Sequence, residues 1–402
     1  MNSKTYDIAI IGAGIVGLAT ALHLSKSGKY KIVIIEAEEE VAKHQTGNNS
    51  GVIHSGLYYK PGSSKAENCV RGREQLYRFC LENDIKHERC GKLVVATSEK
   101  EKPMLQNLYE KGITNRLEGI KKLTAEQISE YEPHVKGQAA LLIPETGIVD
   151  YKEVSKVYKE KIINAGNEIL LKHTFIDLKR DGTNLVLSTT QGEIRSKYLI
   201  NCAGLFSDRV AKKCEVASSV RIVPFRGEYY KLIPEKEYLI NNLVYPVPDP
   251  SFPFLGVHFT RMVNGGVEAG PNAVLAFKRT GYLKSDFNLK DFWETMTYPG
   301  FLKLAAKYWY TGFGEFYRSF SKKAFVKALQ KLLPELQEDD IIVGGAGVRA
   351  QALARNGQLI DDFKIEQIDR MIHVLNAPSP AATASLSIGE TISSMAHKQF
   401  EL

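Results

Sequence analysis

YDIAIIGAGIVG, at residues 6–17, is the stretch of sequence that decides the fold. Its first half is an apolar run that predicts a buried strand over residues 6–11. The spacing of apolar residues over 15–25 predicts a helix, so a glycine-rich turn joins a strand to a helix. This order is typical of the first βα unit of an α/β, Rossmann-like dinucleotide-binding domain.

The three glycines of the turn have separate physical roles. Gly12 allows the tight turn, Gly14 lets the backbone approach a pyrophosphate, and Gly17 lets the helix pack closely on the strand. The phosphates are expected at the helix N-terminus, where free N–H groups and the positive end of the helix dipole point at them. The residues between the glycines complete the predicted phosphate site: Ala13, Ile15 and Val16.

A second predicted strand follows the helix and ends in an acidic residue. Residues 31–35 form an apolar run, and Glu36 and Ala37 come directly after it. A carboxylate at this position suits the hydroxyls of an adenosine ribose and repels a 2′-phosphate. The fingerprint therefore predicts a bound dinucleotide, without separating NAD from FAD.

Residues 44–56, HQTGNNSGVIHSG, carry the next signal. They include few large apolar side chains and many Gly, Asn, Ser and Thr residues, which offer hydrogen bonds at close range. On composition alone, this stretch is either a surface loop or a segment that contacts a ligand.

A longer string, HQTGNNSGVIHSGLYY at residues 44–59, resembles the flavin-contacting segment of the D-amino-acid-oxidase-like FAD-dependent oxidoreductases. It is most similar to that of L-2-hydroxyglutarate dehydrogenases and oxidases. The resemblance covers essentially the whole chain, and it implies FAD as the cofactor. It also implies an α/β Rossmann-like domain (α+β overall) with a mixed-sheet substrate domain inserted discontinuously. The other matching strings are VPFRGEYYKL at 223–232, GPNAVLAFKR at 270–279, GAGVRAQAL at 345–353 and NAPSPAATASLSIGE at 376–390.

The resemblance assigns further residues to the FAD site. Where the family usually has His, this chain has Asn48, whose amide can still hydrogen-bond a flavin. Residues 376–381 precede a predicted helix that would aim N–H groups at the electron-rich edge of the flavin ring; the alternative is an ordinary proline-rich start of a helix. The residues implied are Thr46, Gly47, Asn48, Asn49, Ser50, Gly51, Val52, Ile176, Cys202, Ala203, Gly204, Val348, Asn376, Ala377, Pro378, Ser379, Pro380 and Ala381.

Length and composition limit the class of protein. A chain of 402 residues, 44% hydrophobic and 25% charged, predicts an ordinary globular protein with more than one hydrophobic core. Its five cysteines are an odd number without CxxC spacing, which argues against a disulfide framework or a metal site and favours a reducing cytoplasm. The net charge of +7 is compatible with an anionic substrate or a membrane surface, whereas no basic stripe indicates nucleic acid.

The patterns predict two domains built from separated segments. Residues 1–85, 147–219 and 336–402 are predicted to form the FAD-binding domain. Residues 86–146 and 220–335 are predicted to form the substrate domain. Within the first domain, residues 168–177 and 184–190 read as two strands of a hairpin around an Asp181-Gly182 turn.

Oxidation of a 2-hydroxy acid moves a hydride from Cα to flavin N5 while the hydroxyl loses a proton. The site therefore needs a base near the alcohol. His54 is the leading candidate because it lies in the flavin-type segment beside small residues, with His44 and His258 as alternatives. Since the ordinary pKa of a histidine is near 6.5, we expect flavin reduction to slow as the pH falls through that range.

Carboxylates of a small dicarboxylic hydroxy acid need cationic or hydroxyl donors. Arg226 and Arg349 lead the candidates, and the alternative for each is an ordinary surface charge. The identity of the acid comes from the resemblance, because charge and spacing do not distinguish hydroxyglutarate from lactate or malate. Further candidates for substrate contact are Tyr59, Tyr229, Tyr230 and Lys278.

Residues 285–333 form an aromatic and basic helical segment. They hold 13 of the chain's 38 aromatic residues, and eight Lys or Arg against four acids. Such a composition suits the headgroup region of an anionic membrane; the alternative is that the rings pack inside the substrate domain. We therefore expect a cytoplasmic protein attached peripherally to the inner face of the cytoplasmic membrane. The family resemblance also favours the membrane and implies quinone as the electron acceptor, with oxygen as the alternative.

Three other functions remain open from the sequence. An amine or sarcosine-type oxidase uses the same scaffold, as does a dehydrogenase of glycerol 3-phosphate or of another 2-hydroxy acid. A flavin-binding scaffold without enzymatic activity is the non-enzyme alternative, and it predicts bound FAD that no hydroxy acid reduces.

Overall fold

The computed structural model describes residues 4–249 and 256–402 of the chain. Its strands are β1 (Thr5–Ile11), β2 (Ile32–Ile35), β3 (Val52–Ile53), β4 (His87–Glu88), β5 (Lys92–Ala96), β6 (Lys121–Thr124), β7 (Ala139–Ile143), β8 (Gly147–Val149), β9 (Glu168–Leu170), β10 (Phe175–Asp181), β11 (Asn184–Thr189), β12 (Gly192–Asn201), β13 (Val220–Leu232), β14 (Leu243–Pro246), β15 (His258–Arg261), β16 (Val267–Gly270), β17 (Val274–Leu275), β18 (Ile341–Ala354), β19 (Lys364–Ile368) and β20 (Met371–Asn376). Its α-helices are α1 (Ile15–Ser25), α2 (Ser64–Glu82), α3 (Lys102–Thr114), α4 (Ala125–Tyr131), α5 (Tyr151–Asn164), α6 (Ser207–Lys213), α7 (Leu289–Met296), α8 (Pro299–Phe320), α9 (Lys322–Leu329) and α10 (Ser385–Gln399).

The first sheet is the predicted nucleotide sheet. Five of its strands run parallel in the order β9-β2-β1-β12-β20, which is the order 3-2-1-4-5 when the five are numbered along the chain. This is the strand order of doubly wound dinucleotide-binding folds, so the predicted Rossmann-like class is confirmed. Ile8 and Ile10 of β1 are fully buried and pack against α1, which in turn contacts α5 and α10.

An antiparallel hairpin extends this sheet, but its first strand differs from the prediction. The expected strand over 168–177 is divided into β9, which pairs with β2, and β10, which pairs with β11. Lys172 has a φ of 60° between the two parts, a left-handed conformation that a continuous strand cannot contain. The predicted turn at Asp181-Gly182 does join β10 to β11.

The second sheet has nine strands in the order β17-β13-β16-β15-β14-β5-β7-β6, with β18 also paired to β13. β18 lies within residues 336–402, which the sequence assigns to the FAD-binding domain. It nevertheless pairs antiparallel with β13 from Val220↔Ala354 to Leu232↔Ile341. This segment therefore contributes strands to both large sheets.

The aromatic and basic segment forms three helices, α7, α8 and α9. The backbone of Tyr308 departs from helical geometry and produces a kink within α8. Among the described residues, no helix is both long and apolar enough to cross a bilayer.

Candidate active site

The turn between β1 and α1 has the geometry that its glycines predict. Gly12 has a φ of +103°, and a Cβ there would lie 2.6 Å from the carbonyl oxygen of Cys202. At Gly17 a Cβ would lie 2.1 Å from the carbonyl oxygen of Gly12, so this glycine allows the helix to meet the turn. A Cβ on Gly14 would find only the Thr46 hydroxyl, at 3.5 Å, because this glycine borders an open cavity.

Glu36 binds the backbone around the same turn. Its carboxylate accepts hydrogen bonds from the N–H of Ala13 at 2.6 Å and the N–H of Glu38 at 3.0 Å. A carboxylate offers about four acceptor positions, so capacity remains for hydroxyl donors from a ribose. Glu36 and Ala37 both line the cavity.

The cavity has a volume of about 1120 Å³ and extends between the nucleotide sheet and strands β13 and β18 of the second sheet. Most of the residues predicted to bind FAD border it. These are Gly12, Gly14, Ile15, Val16, Glu36, Ala37, Thr46, Asn48, Asn49, Ser50, Val52, Cys202, Ala203, Gly204, Val348, Asn376, Ala377, Pro378, Ser379, Pro380 and Ala381.

Five predicted FAD residues are absent from the cavity lining. Besides Ala13 and Gly17, already described, these are Gly47, Gly51 and Ile176. A Cβ on Gly47 would lie 2.4 Å from the carbonyl oxygen of Ala42, and one on Gly51 would lie 2.7 Å from that of Val149. Gly47 therefore allows close packing on the backbone just before the loop, and Gly51 allows close packing on β8. The side chain of Ile176 is 43% exposed.

Strand alternation separates the two leading arginines. Arg349 is paired with Phe225 and Gly347 with Gly227 across β13 and β18. Paired residues share a face of the sheet, and so do every second residues along a strand. Arg349 is therefore on the same face as Gly227 and Tyr229, and all three line the cavity. Arg226 points to the opposite face of the sheet and lies outside the cavity lining.

Arg226 is instead part of a buried polar cluster. Its guanidinium donates to Glu228 at 2.8 Å and to the carbonyl oxygen of Leu283 at 3.0 Å. Glu228 also accepts from Asn272 at 3.0 Å and Ser319 at 2.7 Å. The structure thus does not support Arg226 as a carboxylate ligand; its charge neutralises Glu228.

Two other predicted substrate contacts also lie outside the cavity lining. Tyr230 lies on the same face of β13 as Arg226, away from the cavity. It packs on Phe325, with ring centroids 4.7 Å apart. Lys278 has its carbonyl oxygen in a turn with Gly281. Tyr59 and Tyr229, the other two candidates, do line the cavity.

The His54 loop is held from several sides. The His54 N–H donates to the Thr383 hydroxyl at 3.0 Å. Arg73, ion-paired with Glu145, donates to the carbonyl oxygen of Ser55 at 3.0 Å, and Asn115 donates to that of Gly56 at 3.0 Å. These contacts fix the backbone that presents the imidazole to the cavity.

Burial changes the acid–base behaviour of His54. Desolvation, together with the charge of Lys92 and the neighbouring His258 and Lys65, lowers the pKa of His54 to about 3. The imidazole is therefore neutral at physiological pH and able to accept a proton. The expected titration near pH 6.5 is consequently displaced from that range.

The two alternative histidines have different surroundings. His44 lies within 2.8 Å of a carboxylate oxygen of Glu38 and stacks on Tyr282. His258 lines the cavity, stacks on Tyr245 with centroids 3.8 Å apart, and lies 2.8 Å from the carbonyl oxygen of Gly256 through Nδ1. Burial lowers the pKa of His258 to about 3.

The sequence did not single out several side chains around the cavity. Lys65, on α2, pairs with Asp361 at 2.8 Å and lies over the Tyr59 ring at 4.9 Å. Lys92, on β5, is fully buried behind Tyr58 and Tyr245. The one signal for Lys92 in the sequence is that it begins a short apolar run, Leu93 to Ala96.

A family model described as FAD dependent oxidoreductase matches residues 7–395. The chain belongs to this family. The predicted FAD cofactor is thereby confirmed.

Among characterised relatives, an L-2-hydroxyglutarate dehydrogenase of Indibacter alkaliphilus is 56% identical over 397 residues, covering 98% of this chain and 100% of that protein. The human mitochondrial L-2-hydroxyglutarate dehydrogenase is 44% identical over 419 residues, covering 100% of this chain and 90% of that protein. These relatives confirm the predicted resemblance to L-2-hydroxyglutarate dehydrogenases.

Solved structures extend the fold comparison. An L-alpha-glycerophosphate oxidase from Mycoplasma pneumoniae with FAD bound has a TM-score of 0.80 and 22% identity, covering 99% of this chain and 95% of that chain. A glycine oxidase from Geobacillus kaustophilus has a TM-score of 0.73 and 17% identity, covering 98% and 95%. At these identities the likeness concerns the fold.

The residues around the cavity fit an FAD molecule. Gly14 leaves room for a pyrophosphate beside the N-terminus of α1, and Glu36 lies where an adenosine ribose would need an acceptor. At the other end, Asn376 lines the cavity, and its buried Oδ1 has no hydrogen-bond partner among the described residues. That acceptor suits an N–H group of a bound ligand.

Proposed function

We propose that this protein is an FAD-dependent enzyme that oxidises L-2-hydroxyglutarate to 2-oxoglutarate. The observation that carries the proposal is a single cavity joining the Gly12–Gly17 turn to a neutral histidine, His54, and a guanidinium, Arg349. The acid is inferred from the relatives, which are named L-2-hydroxyglutarate dehydrogenases in bacteria and animals.

His54 is the proposed general base. Its ring faces the cavity. Within residues 4–249 and 256–402, no side chain hydrogen-bonds the ring nitrogens, since the bond to Thr383 is made by the backbone N–H. Because burial keeps the imidazole neutral, it can take the hydroxyl proton as the Cα hydride leaves. The isoalloxazine ring of bound FAD supplies the hydride acceptor.

Arg349 is the proposed ligand of a substrate carboxylate. A guanidinium offers two parallel N–H donors, which match the two oxygens of a carboxylate. Tyr59 and Tyr229 lie on the same cavity and are the proposed hydroxyl donors. Burial raises the pKa of both tyrosines, so each hydroxyl keeps its proton and can donate.

Anaerobic titration of the holoenzyme tests the reaction. L-2-hydroxyglutarate is expected to bleach the visible absorbance of the oxidised flavin, because the flavin accepts the hydride. The D-enantiomer, lactate, glycerol 3-phosphate, sarcosine and glycine should leave the absorbance unchanged. Bleaching by an amine or by glycerol 3-phosphate, and not by L-2-hydroxyglutarate, would contradict the proposed substrate and identify that compound as the substrate instead. Bound FAD that none of these compounds reduces would favour the scaffold.

We further propose that α8 attaches the protein to an anionic membrane. Large apolar side chains repeat on its outer face at helical spacing, with Trp309 66% and Phe313 75% exposed. We call this the aromatic stripe: Leu302, Trp309, Tyr310, Phe313, Tyr317 and Phe320. The opposite face, with Leu304 and Tyr308, packs on the protein.

Exposed lysines beside the stripe supply the charge for anionic headgroups. They are Lys303, Lys307, Lys323 and Lys327. An apolar face with cationic borders is typical of helices that lie in a membrane interface. On this basis we propose a quinone in the membrane as electron acceptor, with oxygen as the competing acceptor, on the inner face of the cytoplasmic membrane.

Vesicle flotation tests the attachment. The holoenzyme should float with phosphatidylglycerol vesicles at low salt and less at high salt, because salt screens the lysines. Trp309→Ser with Phe313→Ser should abolish flotation, whereas Tyr238→Ser, an exposed aromatic outside the stripe, should not. Failure of the holoenzyme to float would contradict membrane attachment. A concentration-dependent dimer that the double variant disrupts would instead show that a second copy of the chain covers the stripe.

The acceptor requires a separate measurement. After substrate reduction, a short-chain quinone should reoxidise the flavin faster than air-saturated buffer does. Faster reoxidation by oxygen would contradict the proposed quinone acceptor while leaving the oxidation of L-2-hydroxyglutarate intact.

A further inference from the structure

Lys92 is a cation in the interior of the second sheet. The residue is 1% exposed, and its ammonium pairs with no carboxylate among the described residues. Removing a charge from water without an anionic partner is costly, so a buried ammonium needs compensation from its surroundings.

Two tyrosine faces provide part of this compensation. Lys92 Nζ lies 4.5 Å from the centroid of the Tyr58 ring and 4.8 Å from that of Tyr245. The register explains the second contact. β5 and β14 run parallel with Tyr245 beside Val94, so Tyr245 shares a face with Lys92, two residues earlier. Such cation–π contacts are strongest where water is excluded.

The same tyrosines separate Lys92 from the cavity. Tyr58 and Tyr245 both line it, and Tyr245 stacks on the cavity residue His258. The Tyr58 hydroxyl is buried and has no hydrogen-bond partner among the described residues. It is therefore a donor available for a ligand, and a cation on its ring face strengthens that donor by withdrawing electron density.

In the described part of the chain, no carboxylate is among the groups that face Lys92. From the loop before α2 come His54 and Tyr58; from α2 come Cys69 and Lys65, the latter paired with Asp361. The neighbouring strands β14 and β15 supply Tyr245 and His258, and Arg349 stands across the cavity. None of these groups is a free carboxylate, so an anionic ligand would complete the balance of charge.

We propose that Lys92 is a positioning residue for a dicarboxylate: acting through Tyr58, its ammonium strengthens the binding of one substrate carboxylate. Arg349, on β18, serves the other. The inference rests on the proposed function for its substrate class, but it concerns binding and not the transfer of hydride.

This arrangement has a pH signature. Burial lowers the pKa of Lys92 to about 7, whereas the pKa of His54 and of His258 is about 3 and that of Cys69 about 12. The ammonium is present below pH 7 and is lost as the pH rises. Affinity for a dicarboxylate should therefore fall as the pH rises from 6 to 9.

Calorimetric titration of the holoenzyme with glutarate, which has no hydroxyl to oxidise, tests the inference. Wild type should bind glutarate more weakly at pH 9 than at pH 6. Lys92→Met should bind it about ten- to a hundred-fold more weakly at pH 6, with little change at higher pH. Lys92→Arg should restore binding that does not decline up to pH 9, because a guanidinium keeps its proton.

Two comparisons separate positioning from structural damage. Lys122→Met removes an exposed lysine that lies 4.2 Å from the Tyr109 ring, and it should bind glutarate as wild type does. Tyr58→Phe should weaken binding while the decline with pH shrinks. FAD absorbance and Tm report the folding of each variant.

The inference is overturned if Lys92→Met and wild type bind glutarate within twofold with the same pH profile, or if wild type does not bind glutarate. It is overturned as well if Lys92→Met does not fold and Lys92→Arg keeps the wild-type decline with pH. Lys92-dependent glutarate binding in an enzyme that L-2-hydroxyglutarate cannot reduce would refute the proposed reaction and leave this inference standing.

Discussion

His54 illustrates how the surroundings of one residue set its chemistry. An exposed histidine is about half protonated near pH 6.5. In the cavity, desolvation and neighbouring positive charge keep it neutral to about pH 3. A neutral imidazole within reach of a substrate hydroxyl is the form that a general base requires.

Replacement of His54 tests this role. His54→Gln keeps much of the size but cannot accept the proton, so flavin reduction should slow by about 10² to 10⁴ while FAD stays bound. His397→Gln, on the last turn of α10 and outside the cavity lining, should leave the rate unchanged. Stopped-flow absorbance of the flavin measures both.

The pH dependence gives an independent check on the same residue. Because the folded pKa of His54 lies below its ordinary value, the base stays competent as the pH falls from 8 to 5. The reduction rate at saturating substrate should show no loss with a midpoint near 6.5. Such a loss, abolished by His54→Gln, would mean that the imidazole titrates as an exposed one.

The two arginines predict opposite phenotypes. Arg349→Met should weaken 2-oxoglutarate binding by about ten- to a hundred-fold, because a charge-assisted hydrogen bond to the ligand is lost. Arg226→Met should instead destabilise the protein by about 3 kcal/mol, because it leaves the buried Glu228 with Lys284, a half-exposed lysine 3.6 Å away, as its remaining cation. Product titration and thermal unfolding distinguish them; a binding defect confined to Arg226→Met would reverse the two roles.

At the scale of elements, the β1–α1 turn divides the work among its glycines. Gly12 and Gly17 permit close packing, since a Cβ at either position would meet backbone at 2.6 Å or less. Gly14 has a φ of −72° that any residue adopts, and its open side borders the cavity. The fold therefore tolerates a side chain at Gly14, whereas the cofactor site does not.

Gly14→Val should consequently fold and lose FAD. Its branched side chain occupies the space of the pyrophosphate, so the purified protein should be colourless with native secondary structure by circular dichroism. Gly14→Ala, with one methyl group, should retain an intermediate share of FAD. Full FAD occupancy in Gly14→Val would mean that the dinucleotide does not approach this turn.

At the scale of the whole molecule, the two large sheets meet at the cofactor cavity. Strands β1, β2 and β20 of the nucleotide sheet and the turn after β12 border it from one side, and β13 and β18 of the nine-stranded sheet from the other. A ligand that contacts both sheets binds only the folded state of the chain and not the unfolded state. Its binding energy is thus added to the stability of the fold.

Removal of FAD should therefore lower Tm. At a free FAD concentration a hundred times its Kd, binding stabilises the folded state by about 2.7 kcal/mol, and Tm should rise steadily with added FAD. Thermal unfolding of the deflavinated protein measures this, with Gly14→Val as the control that should not respond. A Tm independent of FAD in wild type would contradict cofactor binding between the two sheets.

Local sequence determined the nucleotide unit, because its structure depends on neighbours along the chain. An apolar run, three spaced glycines and a helical repeat are enough to specify β1, the turn and α1, and α1 spans residues 15–25 as predicted. Glu36 directly follows β2, so its approach to the cavity was also predictable from the local pattern, whereas the approach of residues 44–56 was predictable only from the family resemblance.

Tertiary structure alone decided the substrate end. Arg226 and Arg349 stand in equally plausible strings, and only the pairing of β13 with β18 shows that one faces the cavity and the other faces Glu228. Lys92 reads as an ordinary strand residue, since its contacts with Tyr58 and Tyr245 join segments far apart in the chain. Burial then moves the pKa of His54 and Lys92, because desolvation depends on everything packed around a group and not on its place in the sequence.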